Sequence, residues 1–198
     1  MKPFIAVVLA VWFGLVFVLA AKGAFVQPPN APPFPILFAV ILPLVMFIAA
    51  YLAWGAFQKS VLAADLALFT AIQAWRAGGL GFLALYAHNV LPGLFALPAG
   101  LGDIAIGVTA PWIAQALIRR PAFVNTRIFV VWNLLGILDL VVAVSLGALS
   151  SGFVAAFRAE VTTAPMALLP LVLIPAYLVP VFIMLHLAAL CQARRPAQ

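Results

Sequence analysis

The chain predicts an all-α membrane protein, a bundle of about six transmembrane helices with both termini cytoplasmic, in a single transmembrane domain over residues 1–198. Three observations predict it. Of the 198 residues 68% are hydrophobic and only 7% charged, where a soluble domain carries about 25% charged residues, so there are too few charges to cover a water-exposed surface. Several apolar runs reach or exceed the roughly 20 residues that cross a hydrocarbon core. The basic residues lie at the ends of those runs and fall unevenly between the two sides: Lys2, Lys59, Arg76, Arg119, Arg120, Arg127, Arg194 and Arg195 on or near one side, Lys22 and Arg158 on the other. That asymmetry assigns the first group to the cytoplasm. The net charge of +6 forms no groove or arm, so the expected partner is the lipid bilayer and not nucleic acid. A lone cysteine, Cys191, excludes an internal disulfide.

The spans follow in order. The first, residues 4–21, also resembles a signal peptide, but a signal core is about 7–15 residues and this run is uninterrupted over 18, so it reads as a retained helix. The link after it, "QPPNAPPFP", is too proline-dense for a helix and reads as a stiff connector. The second span covers residues 35–57. A helix running from Ser60 to Leu91 would be about 48 Å long, so residues 60–69 are expected along the inner interface and the third span over 70–91. The fourth covers 98–118, with Pro98 in its first turn. The fifth covers 128–149 and the sixth 165–191. In the external loop before the sixth, Phe153, Phe157 and Val161 have the spacing of a short interfacial helix. "LPLVMFIAAYL" and "LPLVLIPAYL", in the second and sixth spans, hint at duplication, although an alphabet of Leu, Val, Ile and Ala gives such matches by chance.

Polar residues inside the spans are the candidate functional groups, because an ionisable side chain facing lipid costs a few kcal/mol and so turns inward. Gly100, Asp103, Gly107, Ala110 and Ala114 share one face of the fourth span. Ala77, Gly81, Ala84 and His88 do so in the third, and Trp132, Gly136, Asp139 and Ala143 in the fifth. Small residues let backbones approach closely, so each of the three spans has a packing seam with one ionisable group. Helical rise places Asp103 about 8 Å, and His88 about 5 Å, below the outer boundary. Asn89 lies near them and Asp139 one to two turns deeper. Asp103 is therefore expected to pair with His88 across the hairpin. Arg76, Asn133 and His186 form a second, inner polar level, with Arg76 snorkelling from about 9 Å inside the inner boundary.

The segment "WRAGGLGFLALYAHNVLPGLFALPAGLGDIAIGVTAP", residues 75–111, resembles uncharacterised bacterial multi-pass inner-membrane proteins. The resemblance is carried by Arg76, Leu91-Pro92, the run Phe95 to Gly100, and Gly102-Asp103. It implies a bacterial inner membrane and supplies no mechanism.

Four classes of function can be set against these features. The leading one is binding or translocation of a small cation, proton or polar solute at the seam between spans three, four and five. Asp103, His88 and Asp139 would bind it with Asn89 and Arg76 beside them, no cofactor is called for, and six spans being few for a transporter points to a homodimer. A structural or accessory subunit is the alternative. A b-type haem protein would need intramembrane histidine ligands, and His88 and His186 stand about 15 Å apart in depth. An intramembrane enzyme lacks any HExxH or GxSxG motif.

Overall fold

The computed structural model describes residues 2–193, with side chains from Phe4 onward; within that range the chain is all α, with no strand. Six helices are long and apolar enough to cross a membrane. α1 is Lys2–Ala21, α2 is Phe34–Ala53 and the short α3 is Gly55–Leu62. The third crossing is composite: α4 (Leu66–Ile72), a 3-10 stretch (Gln73–Gly79) and α5 (Leu80–Ala87). α6 is Gly93–Arg119 and α7 is Arg127–Leu149. The sixth crossing begins as a π-helical turn, Ile174–Leu178, and continues as α8, Val179–Ala193. Six crossings put Lys2 and Ala193 on one face, the terminal face. Connections 22–33, 88–92 and 150–173 occupy the opposite, loop face. Arg194 and Arg195, two of the basic residues assigned to the inner side, lie outside the described residues.

Several boundaries differ from the sequence reading, each for a physical reason. α2 stops at Ala53 because Trp54 is extended (φ −118°, ψ 97°). The interfacial segment is α3 alone, and the third crossing starts four residues before Thr70. Asp65 sets that start by accepting from the Ala67 and Leu68 N–H groups at 2.9 and 3.1 Å, which satisfies donors the first turn leaves free. α6 starts at Gly93, five residues before Pro98, with Pro92 as its cap and Pro98 inside; membrane helices tolerate an interior proline where neighbouring helices satisfy the freed groups. The sixth crossing starts at Ile174 instead of Pro165, because Ala164–Ala167 is an isolated 3-10 turn and residues 168–172, with Pro170 among them, bend and turn. Within residues 150–163 only Ala155–Phe157 is helical, and that as 3-10, so the interfacial helix expected over 153–161 does not form.

α6 is the axis of the bundle. Its buried face, Ala96, Gly100, Gly107, Ala110 and Ala114, meets the third crossing on one side and α7 on the other. The expected seams of spans four and five are this face and its partner on α7, where Trp132 and Gly136 are buried. Of the expected seam of span three only Ala77 meets α6, at Gly107; Gly81, Ala84 and His88 are all exposed. Instead Thr70, Gln73, Arg76, Gly79 and Phe82 are buried, a row with a strict spacing of three. That spacing is the signature of 3-10 winding, in which residues i and i+3 eclipse. Turning about 120° per residue instead of about 100° rotates the inward face by roughly 140° over seven residues.

α1 and α2 are peripheral. Val40 is the one buried residue of α2. α1 is held by Trp12 and Phe13 against Tyr177, whose hydroxyl donates to the Leu9 carbonyl at 3.2 Å. The exterior is apolar, with Phe38, Leu52, Trp112 and Ile118 among its exposed side chains, which is the surface a hydrocarbon solvent accepts.

Candidate functional site

Arg76 is the hub of the polar interior. It is 2% exposed and enters from the 3-10 stretch, ten residues into the third crossing. Its Nε donates to Asp103 Oδ1 at 2.7 Å. Nη1 donates to the Gly136 carbonyl at 3.1 Å and to His186 Nε2 at 3.2 Å. Nη2 is bonded to Asp139 Oδ2. Four of the five guanidinium N–H groups are thus used, on four separate partners from three helices.

His186 continues the chain of contacts. A guanidinium has no acceptor, so His186 Nε2 must accept, and the ring proton sits on Nδ1, which donates to Asn133 Oδ1 at 2.9 Å. Asn133 Nδ2 in turn donates to the Phe129 carbonyl at 2.8 Å. Trp132 stands edge-on to the imidazole, with ring centroids 5.4 Å apart, and its Nε1 donates to Thr109 Oγ1 at 2.9 Å. Both ring nitrogens of His186 are therefore engaged inside the bundle.

Glycines make this convergence sterically feasible. A Cβ on Gly102 would overlap the Asp139 carboxylate, and one on Gly136 would overlap the His186 ring. One on Gly79 would stand 2.6 Å from Asp103 Cβ, and one on Gly107 would fall on the Arg76–Ala77 backbone. Close backbone approach is what small residues supply in membrane bundles, and here it closes three helices around one guanidinium.

The expected site residues divide into two groups. Arg76, Asp103 and Asp139 come together. His88 and Asn89 do not: both are exposed, His88 as the C-cap of α5 and Asn89 in the turn after it with φ 56°. Asp103 gives Oδ1 to Arg76 and makes no hydrogen bond to His88. The expected pairing fails on depth: counted from Gly93, Asp103 lies ten residues down α6, about 15 Å below the loop-face end, whereas His88 stays at that end. The same recount merges the two polar levels. Arg76 does not snorkel toward the terminal face; it meets both aspartates in the middle of the span, and His186 and Asn133 join them.

A cleft of about 460 Å³ opens at the loop face and reaches the cluster at Asp103. Asp103 lines it, and the Asp103 side chain is 14% exposed while that of Arg76 is fully covered. The walls above are apolar: Phe82, Phe95, Leu140, Met166, Ile174 and Val179. Phe82 and Phe95 pack edge to face at 5.4 Å. The proline link contributes Gln27 and Asn30 to the mouth, and the 150–167 loop contributes Arg158 and Thr162. Thr163 pins that loop by donating from Oγ1 to the Gly147 carbonyl at 2.6 Å.

Fold and cluster define a multi-pass α-helical membrane protein with a buried ionic core reached from one face. The family model described as Domain of unknown function (DUF8737) matches residues 33–194, and the chain belongs to that family. The match takes in crossings two to six and every residue of the cluster, and leaves α1 outside it. No curated protein and no solved structure matches the chain.

Proposed function

We propose that the protein binds or translocates a small cation, a proton or a polar solute at the Arg76–Asp103–Asp139 cluster, in a bacterial inner membrane. One observation carries the reading. Two carboxylates face one guanidinium, and His186, with Nε2 as acceptor, contributes no charge, so with both aspartates ionised the cluster has one excess negative charge at mid-membrane depth. Such a charge is stable there only with a counter-charge or a proton. The Asp103 carboxyl, partly open to the cleft, is where either would arrive. A homodimer fits the small number of crossings.

The test is Asp103→Asn in reconstituted vesicles, with proton flux followed by an internal pH dye under imposed potassium or sodium gradients. The substitution keeps shape and leaves Arg76 paired with Asp139. The parent is expected to give a cation- or proton-dependent signal, and the variant to fold and melt normally while losing about tenfold or more of it. Equal signals from parent and variant would falsify the reading.

An accessory or structural role is the second reading, and the saturation of Arg76 favours it: four of its donors are tied off inside the bundle, as a staple between helices would be. Under that reading Asp103→Asn is neutral in flux and no less stable than the parent. A haem is not carried forward, because neither His186 nitrogen is free to ligate iron.

Orientation is part of the same proposal. The basic asymmetry puts the terminal face, with Lys59, Arg119, Arg120 and Arg127, in the cytoplasm, so the cleft opens outward. A reporter fused after Gln198 is expected to be active only as a cytoplasmic fusion. Activity restricted to the periplasm would invert the assignment.

A further inference from the structure

The cleft above the cluster narrows the class of ligand. We infer that it takes an amphipathic organic cation, a protonated amine or quaternary ammonium attached to an apolar body, with the charge at Asp103 and the body between Phe82, Phe95, Leu140, Met166, Ile174 and Val179. The inference deepens the proposed function and rests on its premise that Asp103 offers an available negative charge.

The chemistry of the walls separates this ligand from the other cations. A hard inorganic cation gives up its water only for a shell of oxygens, about six to eight for calcium. The floor offers the Asp103 carboxylate, partly consumed by Arg76, and among the described residues no three histidine, cysteine or acidic side chains are placed to hold one metal ion. An organic cation asks for much less: one ion pair, apolar contact, and aromatic faces that attract positive charge. The cleft supplies all three, with Asp103 lining the floor and the Phe82–Phe95 pair lining the wall. The volume of about 460 Å³ falls among small-molecule sites, roughly 300–1,000 Å³. The mouth carries Arg158, exposed and held by its Nε to the Gly152 carbonyl at 3.0 Å, so the positive charge sits at the entrance and the negative charge at the bottom. A ligand cation is therefore drawn to the floor and not to the rim.

Hexyltrimethylammonium is the probe, because its charge is permanent and terminal and its body apolar. Its equilibrium binding is measured on the full chain in nanodiscs of zwitterionic lipid, against empty discs. Saturable binding is expected, weakened about thirtyfold or more by Asp103→Asn, the factor equivalent to about 2 kcal/mol of lost charge pairing. Val144→Trp and Ala148→Trp fill the cleft from α7 without replacing a member of the cluster. Both are expected to abolish probe binding while folding and melting like the parent. Probe binding indifferent to Asp103→Asn, or indifferent to both filling variants, overturns the inference. No probe binding by a parent that gives the proton or alkali-cation signal overturns the ligand class and spares the proposed function; absence of both overturns the two together. Phosphatidylethanolamine carries the same ammonium chemistry. If adding it to the discs displaces the probe while soluble benzyltrimethylammonium does not, the site belongs to a lipid headgroup and the free-cation assignment falls.

Discussion

Arg76→Met is expected to be the most damaging single substitution in the chain, with little folded protein accumulating in the membrane. Methionine matches much of the arginine stem but removes the one positive charge facing Asp103 and Asp139. It also strips the donor from His186 Nε2 and from the Gly136 carbonyl. Leaving a buried charge without its partner costs about 3–5 kcal/mol, and whole domains are stable by only about 5–15 kcal/mol. Arg76→Lys should be intermediate, because one ammonium cannot fork between two carboxylates, a carbonyl and an imidazole as a planar guanidinium does. The decisive comparison is the triple variant Arg76→Met, Asp103→Asn, Asp139→Asn. If the damage is electrostatic, neutralising both acids restores accumulation; if it is a packing defect, the triple variant is as poor as the single. Detergent-solubilised yield and melting temperature read out both. An Arg76→Met protein that accumulates and melts like the parent would remove the hub from the account.

That hub was only half legible in the sequence. Asp103 and Asp139 announce themselves, since an acid on a small-residue face inside an apolar run has to turn inward. Arg76 carries the same signal but lies nearer a span end on paper, where a long basic side chain has the cheaper option of snorkelling. The difference between those options is a matter of four or five residues. Moving the start of the third crossing from Thr70 back to Leu66, and that of the fourth from Pro98 back to Gly93, brings Arg76 and Asp103 to one depth from opposite faces. Charge counting offered a clue that depth counting obscured: one arginine and two aspartates are the charged groups inside spans three to five, and low dielectric makes them partners before it makes them strangers. His88 misled for the complementary reason. Its spacing from Ala77, Gly81 and Ala84 is faultless for an α-helix, and the chain between them is not α-helical throughout.

The rest of the fold divides along the same line. Where hydrophobic length decides, the sequence is informative: the fifth span, expected over 128–149, is Arg127–Leu149. Where proline chemistry decides, it is not. Pro98 reads as a first-turn residue but lies inside α6, and Pro165 reads as a start but precedes a non-helical stretch that lasts until Ile174. A bilayer supplies no water to satisfy broken backbone bonds; the neighbouring helices decide which breaks are covered, and neighbours are a tertiary property.

Three glycines give the final expected result, because they differ in what a single added methyl would meet. Gly107→Ala should lower stability by about 1–3 kcal/mol, the usual range for forcing extra volume into a packed interior. Its Cβ would stand 2.7 Å from the Arg76 carbonyl carbon, with the Ala77 backbone nitrogen closer still, and a backbone cannot swing aside as a side-chain tip can. The helix pair must therefore separate just where Arg76 is aimed at Asp103. Gly136→Ala should be comparably harmful by another route, since its Cβ would overlap the His186 imidazole and push the ring off Arg76. Gly81→Ala should be neutral or stabilising by up to about 1 kcal/mol, as nothing lies within 4 Å of its Cβ and alanine is the better helix former. A larger side chain sharpens the contrast: Gly107→Leu is expected to abolish folding and Gly81→Leu to leave it intact. Thermal unfolding of the three alanine variants in one detergent ranks them directly. If Gly81→Ala proves as harmful as Gly107→Ala, the inward face of the third crossing is the α-helical one after all, and the 3-10 row through Arg76 is wrong.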